Sequence, residues 1–134
     1  MSSIEKLNGK RALVTAGAQG IGYAISEKLM EAGCDVFVHY HTSASGAEKL
    51  AERAAELGRT FGHASGDLTT STGGKELVDS TVDKLGGLDI LINNAGSLVA
   101  RHTIDTIDDA FWAKVMALNV DSLWRVSQAA TPRL

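Results

Sequence analysis

The chain has 134 residues, 44% of them hydrophobic and 22% charged, which suffices for one domain with a core of its own. A formal net charge of -3 gives no reason to expect a nucleic acid or an anionic membrane as partner. No apolar run approaches the roughly 18 residues of a membrane span. The polar N-terminus does not read as a signal peptide, and the single cysteine, Cys34, excludes an internal disulfide, so a cytoplasmic location is expected.

In chain order, a polar leader (Met1 to Lys10) precedes the apolar run Ala12-Leu13-Val14, which predicts a first strand over Arg11 to Thr15. A glycine-rich turn leads into an amphipathic helix from near Gly20 to Ala32. Its inward face is expected to carry Ile21, Ile25, Leu29 and, at the margin, Met30, with Gly33 as the stop. Val36 to Tyr40, β-branched and aromatic, predicts strand two. Cys34, just before it, reads as a small packed side chain. Helix two is expected over Ser45 to Leu57, with Ala47, Leu50, Ala54 and Leu57 inward and Gly58 as the stop. Strand three is placed at Thr60 to Ala64, helix three at Ser71 to Leu85 and strand four at Leu88 to Asn93. A last helix runs from about Asp108 to Thr131, its first turn acidic and its end marked by Pro132.

Strands alternating with helices predict an α/β fold, a parallel sheet covered on both faces by right-handed crossovers. For the doubly wound order the strands should read 3-2-1-4, with a crevice between strands one and four where the order reverses. There is no internal repeat, linker or low-complexity segment, so residues 1–134 form a single unit.

The stretch Arg11 to Gly22, RALVTAGAQGIG, joins strand, glycine turn and helix start. That arrangement builds a site for a dinucleotide pyrophosphate, because the free amides of the first helical turn and the positive end of the helix dipole point at the anion. Gly17, Gly20 and Gly22 are spaced G-x-x-G-x-G. A second motif, Asn93-Asn94-Ala95-Gly96, ends the apolar run Ile90-Leu91-Ile92 and falls on the other side of the expected crevice. At the end of strand two, where an acid about twenty residues after the glycine turn would bind the adenosine ribose, the chain has Tyr40 and His41. With no carboxylate there, nothing obstructs a 2′-phosphate.

Together TAGAQGIG and LDILINNAG resemble the short-chain dehydrogenase/reductase family, whose patterns are T-G-x-x-x-G-x-G and N-N-A-G. The first family glycine falls on Ala16, leaving Gly17 as the residue to take over the turn, while Gly20 and Gly22 match. The resemblance implies a Rossmann-like sheet and a reaction moving a hydride between NAD(P)H and a carbonyl or alcohol carbon. It places Ala16, Gly17, Gln19, Gly20, Ile21 and Gly22 at the pyrophosphate turn, and Asp67 with Leu68 at the adenine. Asn93 would brace the sheet, and Asn94, Ala95 and Gly96 would line the nicotinamide-side ribose. His41 stands where NADP-preferring relatives carry Arg. It is either a phosphate partner or a solvated loop histidine, a neutral imidazole being a poor phosphate clamp. NADP(H) is the expected cofactor, with NAD(H) the alternative.

Asn119, unusual inside a helix, matches the Asn of the family's catalytic tetrad, which holds a water in the proton relay. The other members are Ser, Tyr and Lys, the last two four residues apart. Tyr23 and Tyr40, the two tyrosines here, lack a Lys at that distance. The sequence stops at Leu134, where a fifth strand should begin. The resemblance therefore covers the first half of the family domain, and the chain reads as truncated after strand four and its following helix. By itself it is expected to be inactive. A non-catalytic nucleotide-binding or interaction module is the alternative reading. In the complete protein the partner would be a small carbonyl or alcohol substrate, 3-oxoacyl thioesters and sugars or polyols being the candidates. Strand four would be an open edge and Phe111, Val115, Leu118, Leu123 and Val126 an uncovered stripe, so a homo-oligomer is expected. His39, His41 and His63 invite a metal reading, but zinc needs three or four converging ligands, and no metal is expected.

Overall fold

The computed structural model describes residues 7–134, so the first part of the expected leader lies outside the described residues. Strands β1 (Arg11–Val14), β2 (Asp35–Tyr40), β3 (Phe61–Ser65) and β4 (Ile90–Ile92) form one parallel sheet in the order β3-β2-β1-β4. Leu13 pairs with Phe37 on one side and Leu91 on the other. Successive side chains point to opposite faces of a strand, and both faces are covered. Ala12, Val14, Val36 and Val38 pack with Met30 of helix α1 (Gly20–Glu31) and Leu50 and Ala54 of α2 (Ser45–Leu57). Leu13 and Phe37 pack with Leu77 and Val78 of α3 (Gly73–Leu85) and Val126 and Ala130 of a later helix. Burial on both faces is why the central strands β1 and β2 read as near-continuous apolar runs rather than alternating ones, whereas the outer strands β3 and β4 are only partly buried.

One helical face and several element boundaries differ from the sequence reading. Helix α1 buries Gly22, Ser26 and Met30, whereas Ile21 is 75% exposed. Small residues win this face because the helix start lies close against the preceding turn: a Cβ on Gly22 would overlap the Ala16 carbonyl oxygen. Ile25 and Leu29 pack only at the margin. Strand β3 begins one residue later than expected. Strand β4 is three residues long, because Asp89 is drawn to Arg11 and Asn93 turns away to donate from Nδ2 to Ser127 Oγ.

The last helix is divided. Segment α4 (Asp109–Met116) starts under Asp108, whose carboxylate accepts the Phe111 N–H at 2.8 Å. A π turn (Ala117–Asp121) follows, then α5 (Ser122–Ala130) and a final 3-10 turn (Thr131–Arg133). Of the stripe expected to lie uncovered, Leu123 is 47% exposed and Phe111, Val115 and Leu118 are half-buried, but Val126 is buried against the sheet and Ser122 takes an inward position beside it. The Ser122 hydroxyl donates to Leu118 O at 2.5 Å, so a polar residue is buried with its bond made.

At the start of the sheet, Arg11 grips Asp89 through its side chain and its backbone N–H, tying β1 to the segment before β4 and holding the Asp89 carboxyl below its ordinary range. At the opposite end Thr15, 1% exposed, accepts the N–H groups of Asn94 and Ala95 on one hydroxyl oxygen, each at 2.9 Å. Ala16 follows with φ 50°, the left-handed region, in the place where the family motif has glycine. Gly17 does not take over the turn, as its own φ is not positive. It is needed for space, since its Cβ would stand 2.8 Å from Val14 O and 2.9 Å from Ser26 Oγ.

Two substitutions test this account in urea unfolding. Ala16→Gly should stabilise the chain by about 1 kcal/mol, the relieved left-handed strain exceeding the added freedom of the unfolded state. A lower midpoint would contradict that. Thr15→Val keeps the shape but strands two amides, and it should cost about 3 kcal/mol, with Thr15→Ser close to the unchanged chain.

Candidate cofactor site

The segments that follow the four strands converge on a crevice of about 400 Å³ at the C-terminal edge of the sheet. From the β1–α1 turn come Ala16, Ala18 and Gln19. The end of β2 and its loop supply His39, Tyr40, His41, Thr42 and Ser43, and the β3–α3 loop supplies Gly66 to Thr69. Ala95, Gly96 and Ser97 come from the segment after β4, and Lys114, Ala117 and Leu118 close the rim from the last helix. The position is where a doubly wound sheet binds its ligand, and the volume falls in the range of about 300–1,000 Å³ usual for ligand pockets.

The crevice brings together Ala16, Gln19, Tyr40, His41, Asp67, Leu68, Ala95 and Gly96 of the residues named from sequence. The others sit around it. Gly17 and Gly22 are buried beneath the turn, while Gly20 and Ile21 are exposed at the start of α1. Asn94 turns its side chain away from the crevice and donates from Nδ2 to Ala16 O at 3.1 Å. It is Asn94, therefore, that braces β1 against the segment after β4. Asn93, expected in that role, lies just past the end of β4 and donates to Ser127 Oγ instead.

Asn119 lies in the π turn and faces the same segment. Its Oδ1 accepts Ser97 N–H at 3.1 Å, and its Nδ2 donates to Ser97 O at 2.7 Å and to Val115 O at 2.9 Å. The side chain thus takes over a carbonyl four residues back, the competition with helical bonding that makes Asn rare in helix interiors. Single π turns of this kind recur at functional positions. Here the turn pins Gly96 and Ser97 to the last helix.

The site suits an anion with an attached aromatic base. Helix α1 has no side chain capping its first turn and no acid there, so its first amides are left for a ligand. Its start is open enough for close approach, since a Cβ on Gly20, at φ 56°, would meet nothing within 4 Å. Across the crevice, Asp67 accepts both the N–H and the hydroxyl of Thr69 on Oδ1, at 2.9 and 2.6 Å, and these bonds hold its carboxyl below the ordinary range. A carboxylate with one oxygen committed in this way can still accept a base amino group on the other.

Sequence reasoning missed Thr15 and gave His39 no part in the site. His39 is 4% exposed, accepts Ala16 N–H on Nδ1 at 3.0 Å and donates from Nε2 to Gly66 O at 2.7 Å. Both were legible as polar residues ending apolar strands, where burial forces them to find partners. The His63 ring lies tilted beside those of Tyr40 and Phe61, and no cluster of three metal-ligating side chains occurs among the described residues. No described helix is long and apolar enough to cross a membrane.

Comparison with known proteins agrees with this geometry. The family model for short chain dehydrogenase matches residues 10–134. The rhamnolipids biosynthesis 3-oxoacyl-[acyl-carrier-protein] reductase of Pseudomonas aeruginosa is 36% identical over 131 residues, covering 96% of this chain and 49% of that protein. The 2-dehydro-3-deoxy-D-gluconate 5-dehydrogenase of Dickeya dadantii is 33% identical over 122 residues, covering 91% of this chain and 47% of the relative. Among solved structures, the NADH-dependent reductase A1-R′ complexed with NAD superposes with a TM-score of 0.91 at 34% identity, over 98% of this chain and 54% of that one. A short chain dehydrogenase from Burkholderia cenocepacia in complex with NADP gives 0.90 at 36% identity, over 96% of this chain and 52% of that one. The chain spans about half the length of the relatives it matches. With its sheet order, its crevice and its two motifs in the places that family requires, the chain belongs to the short-chain dehydrogenase family of oxidoreductases, and its crevice is of the kind that holds a nicotinamide dinucleotide.

Proposed function

We propose that the crevice binds NADP(H) in preference to NAD(H), and that the chain supplies the cofactor half of an enzyme acting on a small carbonyl or alcohol. The uncapped start of α1, opening where the segments after all four strands meet, carries this reading. The bound nicotinamide would supply the hydride. The residues of this chain bind and orient it. Amides at Gln19, Gly20 and Ile21 face the pyrophosphate, and Asp67 and Leu68 hold the adenine. Tyr40 and His41 stand at the adenosine ribose with the hydroxyls of Thr42 and Ser43, no carboxylate among them to repel a 2′-phosphate. Ala95 and Gly96 border the second ribose, and Asn119 holds their segment in place through Ser97. We further propose a cytoplasmic setting, which the buried free thiol of Cys34 supports. Self-association through the last helix completes the reading, since Trp112, Val120, Leu123 and Trp124 are all about half exposed or more there.

Neither Tyr23 nor Tyr40 has a lysine four residues on, so no group resembles the family's proton donor. The chain should therefore bind NADPH, seen as quenching of Trp fluorescence, yet leave nicotinamide absorbance unchanged with ketones and 3-oxoacyl thioesters. Turnover dependent on this chain would overturn that view. For cofactor choice, NADP⁺ should bind more tightly than NAD⁺. Tyr40→Asp should weaken NADP⁺ by about tenfold or more while sparing NAD⁺, through charge repulsion at the 2′-phosphate. Tighter NAD⁺ binding by the unchanged chain refutes the preference.

A further inference from the structure

The end of β2 contains a buried histidine that the cofactor reading does not use. His39 accepts Ala16 N–H on Nδ1 at 3.0 Å and donates from Nε2 to Gly66 O at 2.7 Å. Its backbone carbonyl also accepts Gly17 N–H at 2.9 Å. One residue therefore joins the β1–α1 turn to the β3–α3 loop, two segments that line the crevice on either side of the end of β2. The neighbouring residues make the joint necessary. Ala16 sits at φ 50°, a conformation unfavourable for an L-residue with a Cβ, so external bonds must hold it. In the other segment, Gly66 directly precedes Asp67, and Gly66 N–H bonds to Tyr40 O at 3.1 Å.

The geometry points to His39 as a positioning residue for the cofactor, a neutral Nε2–H imidazole that sets the distance between the pyrophosphate turn and the adenine loop. This inference rests on the cofactor reading of the crevice. The tautomer follows from the partners: an amide N–H needs an unprotonated Nδ1, and a carbonyl oxygen needs a proton on Nε2. A second proton would turn Nδ1 into a donor aimed at another donor, the Ala16 N–H. The bond to the turn would be lost while the bond to Gly66 remained.

Burial is the main effect on His39, and it disfavours the imidazolium. The Gly66 carbonyl pulls the other way, and His41 adds a smaller push against the charge. The net value lies below the ordinary 6.5. The other ionisable groups bordering the cavities that His39 lines are Tyr40, His41, Asp67 and Lys114 on the cofactor side and Glu76 on the far side. His63 lies on the adjacent strand β3. Because the folded value is depressed, the unfolded chain binds more protons in the window between the two. The joint is therefore complete above the ordinary imidazole range and is lost as pH falls through the lower folded value.

Three readouts on the 134-residue chain test the assignment. NMR of the ring nitrogens should show the Nε2–H tautomer and a titration below the ordinary histidine range. Hydrogen exchange at the Ala16 amide should be strongly protected, and its protection factor, corrected for the intrinsic pH dependence of exchange, should fall as His39 titrates. NADP⁺ affinity, followed by isothermal titration calorimetry, should fall across the same window. His39→Phe keeps the bulk without the bonds and should weaken NADP⁺ about tenfold or more. His39→Gln can accept from Ala16 and donate to Gly66 without titrating. It should retain affinity within about threefold and lose the acid-side decline, apart from that due to the ligand's own phosphate. A Nδ1–H tautomer, or identical pH profiles for the unchanged chain and His39→Gln, overturns the inference even if His39→Phe does not fold. Absence of NADP⁺ and NAD⁺ binding by the unchanged chain would sink the cofactor reading. In that case the tautomer and the Ala16 exchange would still decide whether His39 sets the joint.

Discussion

The backbone of Ala16 is held on both sides of its Cα. Its N–H is taken by His39 at the end of β2, and its carbonyl by Asn94 just after β4. These grips keep a residue with a Cβ in the left-handed region, where a glycine would sit without strain. The rest of the site depends on this constraint. If the turn relaxed, the start of α1 would lose its direction, Gly22 could not lie under Ala16 O, and the crevice would lose its floor.

The same economy governs the polar residues buried nearby. Thr15 serves two amides of the segment after β4, and Ser26 reaches Gly17 O and Gly22 O at 3.0 and 2.8 Å. No buried side-chain polar atom among the described residues lacks a partner. A buried polar group left without a partner costs about 1–3 kcal/mol, so each of these side chains specifies one arrangement of the backbone around it. Apolar packing between sheet and helices stabilises the fold as a whole. The hydrogen bonds of Thr15, Ser26, His39 and Asn94 decide the shape of its C-terminal edge.

The π turn around Asn119 extends that logic to the last helix. Its side chain bonds both backbone polar atoms of Ser97 and so carries the segment after β4 on a rigid element. On the outer side of the same helix, Trp112, Leu123 and Trp124 remain exposed, while Ser122, Val126 and Ala130 face inward. One helix thus holds a wall of the crevice and presents an apolar surface away from it.

The sequence by itself determined the alternation of strands and helices, the sheet order and the glycine turn that opens the crevice. Those properties follow from local signals: apolar runs the length of a strand, helical periodicity, stops at Gly58 and Gly86, and glycines where a turn meets a helix. It was less reliable for faces made by small residues. Gly22, Ser26 and Ser122 carry little hydrophobic signal and are buried because a neighbour approaches closely, which periodicity does not record. Only the tertiary structure decided that Ala16 takes the strained angle, that Asn94 rather than Asn93 braces the sheet, and that His39 joins the β1–α1 turn to the β3–α3 loop. The partners in those contacts are 23, 78 and 27 residues apart in the chain. Such residues meet only once parallel pairing has brought the strand ends to one edge, so no local pattern could have shown which donor would find which acceptor.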